Sequence, residues 1–145
     1  MAKAICIIPA RLESTRFPNK ILTDIQGMLM LMFERVYHIA QRSGVFLNVF
    51  VATPNPEILD LCEQRGIAAI PTSFEHPCGS ARVFEAAKTV KGDWDIVVNL
   101  QADQPFLPLS YLKTVVEAVD TNPVATVAYE ELGEKDEHTV KVIRN

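Results

Sequence analysis

The sequence predicts an α/β protein of three layers, α/β/α, in which helices cover both faces of a mainly parallel sheet. Segments typical of strands alternate with segments typical of helices, and that order implies right-handed crossovers between parallel strands. Two of the strand segments, Ala4–Pro9 and Asp95–Leu100, are nearly continuous apolar runs. Strands buried on both faces of a parallel sheet have this character, so we expect the two to lie side by side near its centre.

In chain order, the first elements are a strand, a helix and a second strand. Ala4–Pro9 is the first apolar strand. A turn at Gln26-Gly27 precedes a helix over Leu29–Ser43, whose apolar residues recur at helical spacing, and Gly44 stands where helix C-termini favour glycine. Leu47–Thr53 is predicted to be a strand because β-branched and aromatic residues are concentrated there.

The second helix carries signals at both ends. Asn55 is expected to cap it, with Pro56 at its first position. It runs to Arg65, and Gly66 is the expected stop just beyond. A short third strand follows at Ala68–Ile70.

The second half continues the alternation of strands and helices. Its predicted elements are a helix at Ala81–Thr89, the buried strand at Asp95–Leu100, a helix at Ser110–Val119, a strand at Ala125–Tyr129 and a charged, mobile connection at Glu130–His138.

The composition indicates one soluble globular domain, since 145 residues with 48% hydrophobic and 22% charged side chains suffice for one ordinary core. A net charge of −4 argues against nucleic acid or an anionic membrane as the main partner. We expect no signal peptide and no membrane insertion, because every apolar run is short. The three cysteines form no CxxC pair, which favours a reducing cytoplasm.

A loop rich in cations and hydroxyls follows the first strand. Its polar residues are Arg11, Ser14, Thr15, Arg16 and Lys20. Ligands of open α/β sheets bind at the carboxyl ends of the strands, and this residue set suits a polyanion, most simply a nucleoside triphosphate. Neither the Walker loop nor the dinucleotide GxGxxG pattern is present in the sequence. The alternative is a solvated loop with scattered charges.

Three segments, in the right order, resemble motifs of the CMP-Kdo synthetases, the 3-deoxy-manno-octulosonate (Kdo) cytidylyltransferases. Pro9–Lys20 resembles P-A-R-x-x-S-T-R-x-P-x-K, and Thr72–Arg82 resembles T-x-x-x-H-x-S-G-T-[DE]-R. Val98–Pro105 resembles V-N-x-Q-G-D-E-P, and Thr139–Ile143 looks like the family's V-K-V-V strand. The resemblance implies a nucleotide-diphospho-sugar transferase (Rossmann-like) fold. It also implies transfer of CMP from CTP to a Kdo-like sugar acid with release of pyrophosphate, in lipopolysaccharide precursor synthesis.

The resemblance also implies the site residues. Arg16, Lys20 and Asp103 take catalytic roles, and Asp103 binds Mg²⁺, which favours one or two carboxylates together with phosphate oxygens. The alternative for Asp103 is that it caps a turn before Gln104-Pro105. The implied nucleotide-binding residues are Ala10, Arg11, Ser14, Thr15, Ser80, Arg82 and Gln101.

Five residues depart from the family motifs: Cys78 replaces serine, Ser80 threonine, Ala81 an acidic residue, Ala102 glycine and Gln104 glutamate. Residues 1–145 are expected to be a single nucleotide-binding domain that lacks the family's C-terminal half, with its sugar-acid site and main dimer contacts. The expected ligands are therefore CTP and an acidic sugar. A homodimer is expected to be weakened by the missing C-terminal half. The alternatives are a nucleotide-binding module without turnover and a cytidylyltransferase for another acidic sugar.

Overall fold

The computed structural model describes residues 3–12, 24–25, 30–75, 79–103, 106–119, 124–130 and 137–144. The strands in these ranges are β1 (Ala4–Pro9), β2 (Asp24–Ile25), β3 (Met30–Leu31), β4 (Phe46–Thr53), β5 (Ala69–Pro71), β6 (Ile96–Asn99), β7 (Val124–Glu130) and β8 (Glu137–Arg144). The helices are α1 (Met32–Arg42), α2 (Pro56–Arg65), α3 (Gly79–Ala87) and α4 (Leu109–Val119).

The main sheet has the strand order β5-β4-β1-β6-β8-β7. Strands β5, β4, β1 and β6 are parallel, whereas β8 runs antiparallel to both β6 and β7. The prediction of a mainly parallel sheet is confirmed. The prediction that β1 and β6 are central neighbours is also confirmed, because β4 and β8 lie on their outer sides.

Three helices begin at residues other than the predicted ones, and for α4 the difference is one position, since it begins at Leu109 rather than Ser110. Helix α1 begins at Met32 rather than Leu29, because β3 pairs with β2 in a short antiparallel ladder that the sequence did not predict. The Leu31 N–H donates to the Glu34 carboxylate at 3.1 Å, which ties the start of α1 to the end of β3. Helix α3 begins at Gly79, two positions before the predicted start. The predicted turn at Gln26-Gly27 lies outside the described residues.

Alternate residues of the central strands face two separate clusters of buried side chains. Ile8 and Val98 pack in a cluster with residues of α1, α2 and α4. Ile7 and Val97 pack on the opposite face, with α3 residues that include Val83. Helices therefore cover both faces of the sheet, as the three-layer prediction requires. Among the helices within the described ranges, none has the length and apolar character needed to cross a bilayer.

Two cysteines are buried free thiols. Cys6 and Cys62 are both 0% exposed. Burial raises the pKa of the Cys6 thiol far above its ordinary value. Burial, together with the nearby Glu34 carboxylate, raises the pKa of Cys62 to about 11. Both side chains therefore act as small apolar core residues at neutral pH, while Cys78 lies outside the described residues.

Candidate functional site

The carboxyl ends of β1, β4 and β6 meet at one edge of the sheet. The ladder continues past the strand ends, since the Ala10 N–H donates to the Ala52 carbonyl at 2.9 Å. Likewise, the Leu100 N–H donates to the Ile7 carbonyl at 3.2 Å. The first loop and the segment that leads to Asp103 therefore leave the sheet from the same edge, where ligands of open α/β sheets bind.

The start of the first loop is held by Asn55, which follows β4. The Leu12 N–H donates to Asn55 Oδ1 at 3.0 Å, and Asn55 is 3% exposed. Asn55 occupies the N-cap position of α2 as predicted, but its side chain makes no capping hydrogen bond. The prediction of a side-chain cap is therefore wrong. The buried amide instead joins the loops after β1 and β4, which lie 43 positions apart in the sequence.

Part of the predicted phosphate-binding loop falls within the described residues. Ala10 is 2% exposed, and Arg11 is exposed at the start of the loop. The other predicted residues of this loop lie outside the described ranges, and their roles stay predictions; they are Ser14, Thr15, Arg16 and Lys20.

The start of α3 packs against the carboxyl ends of β1 and β6. A Cβ atom built on Gly79 would lie 3.2 Å from Pro9 Cγ and 4.0 Å from Gln101 Nε2. The first distance is closer than ordinary van der Waals contact, so a side chain at position 79 would require Pro9 or α3 to shift by a few tenths of an ångström. Residues from all three sequence motifs, namely Pro9, Gly79 and Gln101, are thus neighbours at one edge. The positive end of the α3 dipole also lies there, which favours an anion.

Two predicted nucleotide-binding residues, Ser80 and Gln101, are joined by a side chain that is not among the predicted site residues. Asn99 Nδ2 donates to Ser80 Oγ at 3.3 Å, and Gln101 Nε2 donates to Asn99 Oδ1 at 3.4 Å. Asn99 is 1% exposed. Its signal in the sequence was a lone amide at the end of an otherwise apolar strand, because a buried amide needs hydrogen-bond partners.

Arg82 is buried beneath the loop that follows β5. Its guanidinium donates to Thr72 Oγ1 at 2.8 Å and to the Ser73 carbonyl at 2.9 Å, and the residue is 3% exposed. The Ser73 N–H donates in turn to the Glu85 carboxylate at 2.9 Å. Two side chains of α3 therefore hold this loop against the helix. The predicted contact of Arg82 with a nucleotide stays a prediction.

Asp103 follows β6 at the same edge and is half-buried. In the part of the chain that the structure describes, no three histidine, cysteine, aspartate or glutamate side chains cluster closely enough to hold a metal ion. A single carboxylate fits Mg²⁺ nonetheless, since this ion retains several water molecules and takes its other ligands from substrate phosphates. Asp103, with the first loop leaving the same edge, is thus compatible with a magnesium–nucleotide complex.

Comparisons with known proteins identify the family of this chain. The cytidylyltransferase family model matches residues 5–144. A 3-deoxy-manno-octulosonate cytidylyltransferase of Koribacter versatilis is 44% identical over 115 residues, which make up 79% of this chain and 42% of the relative. Its namesake from Chlorobium phaeovibrioides is 34% identical over 149 aligned positions, covering 97% of this chain and 59% of the relative. The chain thus spans about half the length of the curated relatives it matches.

One solved structure is similar over nearly the whole chain. It is that of CMP:2-keto-3-deoxy-manno-octonic acid synthetase complexed with CTP, with a TM-score of 0.81 and 26% identity over 99% of this chain and 74% of that chain. The predicted nucleotide-diphospho-sugar transferase fold is confirmed by this match, and the resemblance to CMP-Kdo synthetases by the two relatives. Because the family model extends from β1 to β8, we conclude that this chain belongs to the cytidylyltransferase family.

Proposed function

We propose that this chain is the nucleotide-binding part of a cytidylyltransferase that transfers CMP from CTP to a Kdo-like sugar acid. The main support is the packing of Pro9, Gly79 and Gln101, which brings the three sequence motifs together at one ligand-binding edge. The printed names of the relatives supply the substrate class, and the related synthetase structure holds CTP.

In the proposed reaction, a hydroxyl oxygen of the sugar acid attacks the α-phosphorus of CTP. The bond from the α-phosphorus to the bridging oxygen breaks, pyrophosphate leaves with the electron pair, and the proton of the attacking hydroxyl passes to water. Arg11, Arg16 and Lys20 bind the triphosphate and neutralise its charge. The Ser14 hydroxyl donates a hydrogen bond to a phosphate oxygen.

Asp103 would hold Mg²⁺ against the phosphates, and when bound this ion reduces the negative charge that repels the attacking oxygen. Orientation of the acceptor needs further contacts. Holding two reactants in line can contribute roughly 7–11 kcal/mol to the barrier reduction. Because the chain spans about half of its relatives, we propose that it binds CTP with magnesium but turns over little sugar acid by itself.

The remaining proposals concern partners and location. The alternatives of a binding module without turnover and of another acidic sugar follow from the motif departures, such as Ala81 in place of an acidic residue. We propose a cytoplasmic location, which two buried free thiols support, and a weakened homodimer.

Calorimetry with CTP and magnesium tests the nucleotide site. We expect Mg²⁺-dependent binding that Arg16→Ala weakens at least tenfold, since a charged contact contributes about 1.5–3 kcal/mol. Arg42→Ala is the matched control, because it removes the same charge from an exposed position in the last turn of α1. Equal binding by Arg16→Ala and Arg42→Ala would reject the loop assignment. Absence of CTP binding by the unmodified chain would reject the proposed function.

Turnover is tested separately by pyrophosphate release from CTP with Kdo and magnesium, beside a full-length relative. A rate comparable with that of the relative would show that this chain holds the acceptor unaided, which contradicts the proposed division of labour.

A further inference from the structure

Asn99 is a buried polar side chain at the end of β6, and it faces α3. Val97, two residues earlier in β6, packs in the cluster that α3 covers, while the adjacent Val98 packs in the opposite cluster. Because successive side chains of a strand point to opposite faces, Asn99 lies on the α3 side of the sheet. The hydrogen bond to Ser80, the second residue of α3, agrees with this placement.

Both polar groups of the Asn99 side chain are engaged by residues at the candidate site. The amide nitrogen donates to Ser80 Oγ at 3.3 Å, and the amide oxygen accepts from Gln101 Nε2 at 3.4 Å. A carboxamide has one donating and one accepting end, so Asn99 requires an acceptor from Ser80 and a donor from Gln101.

These two hydrogen bonds determine what each neighbour offers to a ligand. Ser80 accepts from Asn99, so its own hydroxyl proton is directed elsewhere and can be donated to an anionic oxygen. Gln101 uses one amide N–H toward Asn99, so its carbonyl oxygen and its second N–H are left for a ligand. We infer that Asn99 is a positioning residue that orients Ser80 as a donor and fixes the orientation of the Gln101 amide at the nucleotide site. This inference rests on the proposed function for the identity of the ligand.

The orienting contact is tested first without any ligand, by NMR of the Gln101 side-chain amide in the labelled chain. In the unmodified chain we expect Gln101 amide protons that are shifted from free glutamine and show cross-relaxation to Asn99. Asn99→Leu should return them to free-glutamine positions, whereas Asn99→Asp should keep them shifted because a carboxylate still accepts from Gln101.

Val98→Ala is the control for general destabilisation, since it opens a cavity in the same strand on the opposite face. We expect its Gln101 amide signals to match those of the unmodified chain. Free-glutamine signals in the unmodified chain, or signals unchanged by Asn99→Leu, would overturn the inference whether or not the chain binds CTP.

The orientation of Ser80 is tested by a double-mutant cycle on CTP affinity. Ser80→Ala alone should weaken binding about fivefold, the equivalent of one hydrogen bond. In the Asn99→Asp background the Ser80 hydroxyl donates inward to the carboxylate, so Ser80→Ala should add less than a twofold loss. Equal losses in the two backgrounds would refute the donor role of Ser80. A chain with normal Gln101 signals but no CTP affinity would refute the proposed function and leave the Asn99–Gln101 contact confirmed.

Discussion

Replacement of Arg82 by methionine should destabilise the protein by about 3 kcal/mol, because the guanidinium is buried and makes two short hydrogen bonds. A hydrogen bond from a charged group contributes about 1.5–3 kcal/mol. The bond to half-buried Thr72 should account for about 2 kcal/mol. The bond to exposed Ser73 should account for about 1 kcal/mol, because water can replace the lost donor there.

Urea denaturation followed by circular dichroism measures this loss. With a denaturant dependence of about 1–3 kcal/mol per molar urea, the midpoint should fall by about 1–3 M. Hydrogen exchange at Glu75 and its neighbours should accelerate more than exchange in β1, since the loop after β5 loses its anchor to α3. Lys88→Met is the matched control, because it removes a positive charge from an exposed position just after α3.

A midpoint within 0.3 M urea of the control, an order-of-magnitude threshold of roughly 0.5 kcal/mol, would refute the anchoring role of Arg82. Arg82→Lys distinguishes geometry from charge. It keeps the positive charge but lacks the planar fork that reaches two acceptors, so we expect it to recover less than half of the loss.

Four further predictions follow from contacts of the same kind. Asn55→Leu should leave the Leu12 N–H without its acceptor and weaken CTP binding at least fivefold by calorimetry, and unchanged affinity would contradict the role of Asn55 in holding the first loop. Gly79→Ala should reduce CTP affinity, because the added methyl group contacts Pro9 and disturbs the close approach of α3 to β1. The free energy of unfolding should change by less than about 1 kcal/mol, because the better helix propensity of alanine offsets that contact. Tighter CTP binding by calorimetry would show that α3 needs no close approach. Glu34→Ala should lower stability by about 2–3 kcal/mol in urea, since the carboxylate accepts from both Leu31 and Arg65, and a loss below 0.5 kcal/mol, a rough threshold, would contradict this. Burial raises the pKa of Cys62 to about 11, whereas the thiol of the unfolded chain loses its proton near pH 9. The free energy of unfolding should therefore fall as pH rises from about 9 toward 11, and it should fall less in Cys62→Ala. Identical pH profiles of the two proteins in thermal melts would refute this.

Local sequence signals determined the order of the four helices and of the strands β1, β4, β5, β6 and β7, and they determined the ends of α2. Pro56 begins that helix, and Gly66 ends it with a φ of 69°, a conformation that glycine adopts at little cost. The nearly continuous apolar runs placed β1 and β6 at the centre of the sheet, because strands buried on both faces have no polar side to present. The candidate site was likewise located by its motifs, although Arg16 and Lys20 fall outside the described residues.

Only the tertiary structure decided which buried polar groups are partners. Asn55 has the sequence position of a helix cap, yet its side chain holds Leu12. Asn99 lies in the third motif without a predicted role, yet it joins Ser80, 19 positions away, to Gln101. Propensity and periodicity describe each residue's neighbours along the chain. The choice of a hydrogen-bond partner for a buried amide depends instead on which distant groups the packed sheet and helices bring within about 3 Å.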